Sequence, residues 1–227
     1  TDLALSAQTR KNGPKDAATL ILVRFDGATP RILMGQRHDS HAFMPSKHVF
    51  PGGRLEAADC RKAACRTPEG VTIQKLLLRM RSRPSASRAA GLLVAAVRET
   101  YEETGLLFGR AHLDMPPDVS SLIYFARAIT PPGRSRRFDS RFLVANAAAI
   151  TNLDNPHPLD AVELLRLNWV TLAEAFALNL PSITRDILGL LQPHLEENSL
   201  PPKDCPVSFH HSRGKAWIVE TLSLAQT

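Results

Sequence analysis

The chain has 227 residues, 28 basic against 22 acidic, with 44% hydrophobic and 22% charged side chains. That composition fits one folded domain and excludes wholesale disorder. The longest apolar stretches, 18–23 and 92–97, are far short of the roughly 20 residues that a membrane span requires, so no membrane partner is expected.

The formal charge of +6 is not spread evenly. Residues 60–97 carry eight basic side chains against Glu69 alone, which gives +7 there and leaves −1 for the rest. A basic helix without interleaved aromatic residues lacks the pattern of a nucleic-acid binder, and no nucleic-acid partner is expected. Cys60, Cys65 and Cys205 cannot all pair, which suits a reducing, cytoplasmic setting, and Cys60-x4-Cys65 has no second ligand pair at zinc spacing. Nothing before the first strand reads as a basic-then-apolar leader.

In chain order, residues 1–16 read as a loose polar arm. Residues 18–25 form an almost continuously apolar strand, and Asp26-Gly27 turns the chain into a second one at Arg31–Arg37. Residues 38–49 look irregular and lead into Phe50-Pro51-Gly52-Gly53, with His38 and His41 read as loop histidines. The spacing of Ile73, Leu76, Leu77 and Met80 predicts a helix over 71–83, broken at Pro84. A second helix over 86–104 follows, with Ala89, Leu92, Leu93, Ala96 and Val97 as its apolar stripe and Gly105 at its stop. Strands are expected at Leu122–Ile129, Phe138–Ala147 and Glu163–Val170. The run Thr171-Leu172-Ala173-Glu174 is a capping box that opens a short helix. Ser182 is the expected cap of a last helix, and 216–222 looks strand-like after a Pro-rich tail. This interleaving gives an α/β (α+β) class around a mixed sheet.

The chemistry concentrates in Arg98-Glu99-Thr100-Tyr101-Glu102-Glu103-Thr104-Gly105-Leu106. On a helix, Glu99 lies three and four positions from Glu102 and Glu103, so three carboxylates share one side. Their repulsion, and the unfavourable helix dipole at that end, call for a neutralising partner. Oxygen-only ligands suit Mg²⁺ or Mn²⁺. Arg98 reaches Glu102 at i+4. A solvated acidic helix face is the bland alternative, and the upstream Phe-Pro-Gly-Gly loop together with the glycine stop argues against it.

These residues resemble the Nudix hydrolase signature, G-x5-E-x7-R-E-U-x-E-E-x-G-U, where U is aliphatic. Gly53 stands at the first glycine, Asp59 at the first glutamate, and Arg98 onward matches except for Thr100 at an aliphatic position. The spacer of 60–97 exceeds that of the signature by about 31 residues. A split motif of this kind is similar to the peroxisomal coenzyme A diphosphatase branch. Further likenesses to that branch lie in Phe43-Met44-Pro45, His48-Val49-Phe50, Ala57-Ala58-Asp59, the run 136–142 and Trp169-Val170-Thr171.

The resemblance implies a Nudix-type α/β/α sandwich with a helical insertion between the Gly-Gly loop and the catalytic helix. It also implies one domain over 1–227, with a core of about 17–195, an insertion of about 60–87 and a C-terminal extension of about 196–227. The implied reaction is Mg²⁺- or Mn²⁺-dependent cleavage of a nucleoside diphosphate linked to another group. Coenzyme A or acyl-CoA leads as the small-molecule substrate, ADP-ribose or NADH-like dinucleotides follow, and a silent nucleotide-binding module is the alternative. A homodimer is the assembly the family suggests. The implied metal ligands are Glu99, Glu102, Glu103 and the Gly53 carbonyl, with Arg98 holding Glu102. The general base is Glu102 or a distant carboxylate, Glu163 or Asp160. Substrate contacts are assigned to Arg37, which fits the leader of coenzyme A-directed relatives, to Gly52, and to Arg136 and Arg137 as phosphate clamps beside Arg134 and Arg141. Phe138 is either an adenine-stacking ring or a core residue.

Overall fold

The apolar run near the start forms β1 (Lys15–Arg24), whose residues 20–23 are fully buried, as a strand covered on both faces requires. The computed structural model describes residues 13–37, 46–64, 70–110, 112, 116–158 and 164–224. Among them β1 is followed by β2 (Arg31–Arg37), β3 (His48–Val49), β4 (Gly52–Arg54), α1 (Ala57–Ala64), α2 (Val71–Leu77) and α3 (Ala86–Thr104). Then come β5 (Ile123–Ile129), β6 (Phe138–Asn146), β7 (Leu164–Thr171), α4 (Leu172–Ala177), α5 (Ser182–Glu196), β8 (Val207–Arg213) and β9 (Ala216–Leu222).

The strands make one mixed sheet in the order β3-β2-β1-β6-β5-β8-β9, with β4 on β1 and β7 on β2. The β1–β6 and β5–β8 pairs are parallel and the rest antiparallel. Where β1 and β2 diverge, the short arms β3 and β4 fill the wedge. Val49 pairs with Gly35 of β2, and Gly52 and Gly53 pair with Thr19 and Ala18 of β1. Helices cover both faces. Leu20, Leu22 and Leu143 pack under α2 and α3, whereas Ile21, Val23 and Val144 pack under α4 and α5. This alternation follows from the period-2 geometry of strands.

Helix α3 runs over the predicted 86–104, and its predicted stripe is buried. Ser85 caps it by accepting from the N–H of Arg88, and Gly105 ends it in the left-handed region with φ of 72°. The helix expected over 71–83 is shorter and stops at Leu77. Arg127 from β5 donates to the carbonyls of Leu78 (3.4 Å) and Arg79 (2.9 Å), which a continuing helix would use internally. Ser182 is the first residue of α5 and does not cap it, because Pro181 occupies the cap position without a side-chain bond. Strand β8 was not expected: adjacent His210 and His211 and the preceding prolines mask the apolar Val207 and Phe209. None of the described helices is long and apolar enough to cross a membrane.

Candidate active site

The wedge between β1 and β2 brings the two halves of the split motif together. The N–H of Gly52 donates to Glu103 Oε2 at 2.8 Å, and Glu103 is 3% exposed. The Glu99 carboxylate lies against Gly53 so closely that a Cβ at that position would overlap it. That close approach is why the loop carries glycine here. Thr100, at the aliphatic position of the motif, is fully buried and satisfies its hydroxyl on the carbonyl of Ala96 (2.7 Å).

Arg98 braces this arrangement. It forms a two-bond fork on Asp59, 2.9 Å to Oδ1 and 3.1 Å to Oδ2, and donates to Glu102 Oε2 at 2.7 Å. It also lies 3.0 Å from Glu99 Oε1 and donates to the carbonyl of Arg54 at 3.0 Å. Burial disfavours its charge, but the hydrogen bonds to Asp59 and the charges of Glu99, Asp59 and Glu102 prevail and hold its pKa above the ordinary arginine value. Asp59 is fully buried and accepts from the N–H of Glu56 (2.9 Å), so it is the fixed point of the brace. Sequence reasoning placed Asp59 in the motif without giving it this task.

The three glutamates therefore do not stand as a ready-made cluster. Glu99 and Glu103 face the Gly52–Gly53 arm, and Glu102, with its side chain 52% exposed, turns toward Arg98. Among the described residues no three His, Cys, Asp or Glu side chains stand close enough together to hold a metal ion. The set still fits a hard divalent cation in donor chemistry. Its side-chain donors are all carboxylate oxygens, and the cradle at Gly53 is kept free of a side chain.

The other predicted site residues are distributed unequally. Arg37 ends β2, half-buried, on the face of Leu33 and therefore on the α3 side, with its N–H on the carbonyl of Lys47 (2.9 Å). Arg136 is exposed, whereas Arg137 closes the β5–β6 loop by donating from Nε to the carbonyl of Thr130 (3.0 Å). Phe138 starts β6 opposite Lys15 and is half-buried. Asp16, which neighbours Asp139 across the β1–β6 pair, accepts from Arg88 in the first turn of α3. This loop thus lies toward the end of α3 remote from Glu99, eleven residues or about 16 Å along the axis. Glu163 and Asp160 lie outside the described residues.

One further segment reaches the glutamate end unannounced by the sequence. The carbonyl of Gly105 accepts from the N–H of His157 (3.0 Å) and from Asn152 Nδ2 (2.9 Å), and the His157 ring meets Tyr101 edge-on with centroids 6.0 Å apart. Residues 152–157 thereby lock the helix stop.

Three side chains of the basic block, Lys75, Arg79 and Arg88, are engaged in structure. Lys75 is buried and donates to the carbonyls of Tyr124 (2.8 Å) and Lys203 (2.9 Å) and to Cys205 Sγ (3.6 Å). Arg79 pairs with Glu220 on β9, and Arg88 with Asp16. Arg81 and Arg83 are exposed.

No protein-family profile matches the chain. It is 36% identical over 93 residues to the acyl-coenzyme A diphosphatase NUDT19 of Gallus gallus, an alignment covering 34% of this chain and 25% of that protein. The chain thus spans about a quarter of the length of the curated relative it matches. Among solved structures, a Nudix hydrolase from Alicyclobacillus acidocaldarius superposes with a TM-score of 0.61 at 23% identity, over 83% of this chain and 98% of that one. The Nudix domain of Shewanella oneidensis NrtR, solved with ADP ribose, superposes with a TM-score of 0.50 at 11% identity, over 86% of this chain and 99% of that one. The fold is the Nudix fold. Within that fold the two halves of the split motif meet at the wedge.

Proposed function

We propose that the protein hydrolyses the diphosphate of a nucleoside diphosphate linked to a second group, with coenzyme A or an acyl-CoA as substrate. The observation that carries this reading is the docking of Glu99 and Glu103 on the Gly52–Gly53 arm, braced by Arg98 and buried Asp59. The coenzyme A assignment draws on the partial likeness to NUDT19 of Gallus gallus and on the motif's surroundings.

Glu99, Glu102, Glu103 and the Gly53 backbone are the residues that would hold a divalent cation. When bound, it neutralises diphosphate charge and makes the attacking water more acidic. The rest of the chemistry belongs to the chain. Arg98 holds Glu99 and Glu102 in place, and the N–H of Gly52 fixes Glu103. Glu102, the most exposed of the three, is the acceptor for the proton of the attacking water, with Glu163 the rival for that role. Arg37 faces the α3 side of the sheet, where it can meet an anionic group of the substrate.

The test is a panel of coenzyme A, acetyl-CoA, ADP-ribose and NADH incubated with Mg²⁺ or Mn²⁺, with products identified by mass spectrometry. The reading expects 3′,5′-ADP and phosphopantetheine from coenzyme A. Cleavage of ADP-ribose alone would transfer the substrate to the dinucleotide class. No cleavage of any compound would leave a nucleotide-binding module instead.

A further inference from the structure

Helix α3 is charged against its own dipole at both ends. Its C-terminal end carries Glu99, Glu102 and Glu103, and its first turn carries Arg88 where a cation is disfavoured. The glutamates are held by Arg98 and the N–H of Gly52. At the other end, Arg88 Nε donates to Asp16 Oδ2 at 2.6 Å. Asp16 also accepts from Arg141 Nη1 of β6 (2.6 Å), and its backbone carbonyl accepts the N–H of Leu55 (3.0 Å), the residue that follows β4. A single residue of β1 thus joins the helix bearing the glutamates to the arm bearing Gly52 and Gly53, two residues before Ala18 pairs with Gly53.

Resting on the hydrolase reading above, we propose that Asp16 is a positioning residue for the reaction. Through Arg88 it fixes the seat of α3 along the sheet, and through Leu55 it fixes β4. The contact between Glu99 and Gly53, and between Glu103 and Gly52, is set by these two attachments together. Asp16 does this at a distance, since Arg88 and Glu99 are eleven residues apart, about 16 Å along the helix. An adverse charge kept in the first turn and compensated by a carboxylate only 13% exposed is the mark of a fixed attachment. Removing the Asp16 charge leaves Arg141, which is fully buried, with Asp139: its Nη1 donates to that residue's carbonyl at 2.6 Å and lies 3.2 Å from its carboxylate. The fold of an Asp16→Asn variant is therefore expected to survive.

The experiment compares wild type, Asp16→Asn and Arg88→Met, each confirmed as folded by circular dichroism. It measures kcat and KM on the hydrolysed nucleotide, and Mn²⁺ affinity from the electron paramagnetic resonance signal of the free ion. Both variants are expected to lose about tenfold in kcat, with KM within about twofold of wild type, because the reacting groups are misplaced rather than removed. Their Mn²⁺ Kd is expected to rise several-fold. A merely structural role would lower the melting temperature and leave kcat per folded molecule and Mn²⁺ Kd unchanged, and that result overturns the proposal. Arg88→Met decides the matter if Asp16→Asn does not fold, since its side chain is 22% exposed. A wild type that cleaves no nucleotide overturns the hydrolase reading and the proposal with it; an active wild type with unmoved variants overturns the positioning alone.

Discussion

A methyl group at Gly53 would occupy space now held by the Glu99 carboxylate, so Gly53→Ala must push that side chain away from the arm. The misplacement is expected to lower kcat about 100-fold while the circular dichroism spectrum stays that of wild type, and steady-state kinetics on coenzyme A would measure it. Full activity in Gly53→Ala would mean that the contact is incidental. At this scale the sequence was legible wherever residue type and spacing encode the contact. Arg98, Glu99, Glu102 and Glu103 could be singled out because i, i+4 spacing on a helix forces them into reach. Arg98 meets Asp59 across a gap of 39 positions, and Asp16 meets Arg88 across 72. No local periodicity carries such long-range pairs, so their roles emerge only from the fold. Thr100 departs from the motif without harm because the helix itself takes its hydroxyl.

Among the elements, α3 was readable to its last residue because an apolar stripe and a glycine stop agree, and the structure adds Ser85 as its cap. Helix α2 was overextended, since the stripe continues to Met80 while Arg127, from another strand, claims the carbonyls that end it. Lys75 within α2 illustrates the same tertiary override. Burial lowers its pKa, opposed by Cys205 and Asp204, and its amine finds two carbonyls and the thiol of Cys205 as acceptors. Lys75→Met keeps most of the length of the side chain but strips the carbonyls of Tyr124 and Lys203 of their donor. The expected cost is about 2–4 kcal/mol, read as a fall of roughly 5–15 °C in melting temperature. An unchanged melting temperature would show that water or a shifted backbone replaces the amine. Strand β8 escaped detection because its burial comes from pairing with β5, a non-local event that two adjacent histidines conceal.

For the molecule as a whole, Lys75, Arg79 and Arg88 of the basic stretch 60–97 serve attachment, while Arg81 and Arg83 stay exposed. Lys75 and Arg79 lie over β5, β8 and β9, where Arg79 pairs with Glu220 and sits 5.2 Å from the Phe209 ring, while Glu99 and Glu103 lie at the β1–β2 wedge. Replacing Arg79, Arg81 and Arg83 together by Ser is therefore expected to lower the melting temperature and to leave KM within about twofold of wild type. A several-fold, salt-dependent rise in KM would instead place the block at the substrate's approach. The α/β class and the mixed sheet were legible from the interleaved strands and helices, whereas the wedge that unites Gly52–Gly53 with α3 is a product of topology.

Glu99 and Glu103, docked at the wedge, and Glu102, held by Arg98, are proposed to carry a divalent-cation-dependent diphosphate hydrolysis. The most direct measurement is the rate of diphosphate cleavage with Mg²⁺ by wild type, Glu102→Gln and Glu103→Gln. Each substitution removes one carboxylate charge while preserving shape, and is expected to cost about 100-fold or more. Cleavage by both variants at the wild-type rate would exclude that role for Glu102 and Glu103.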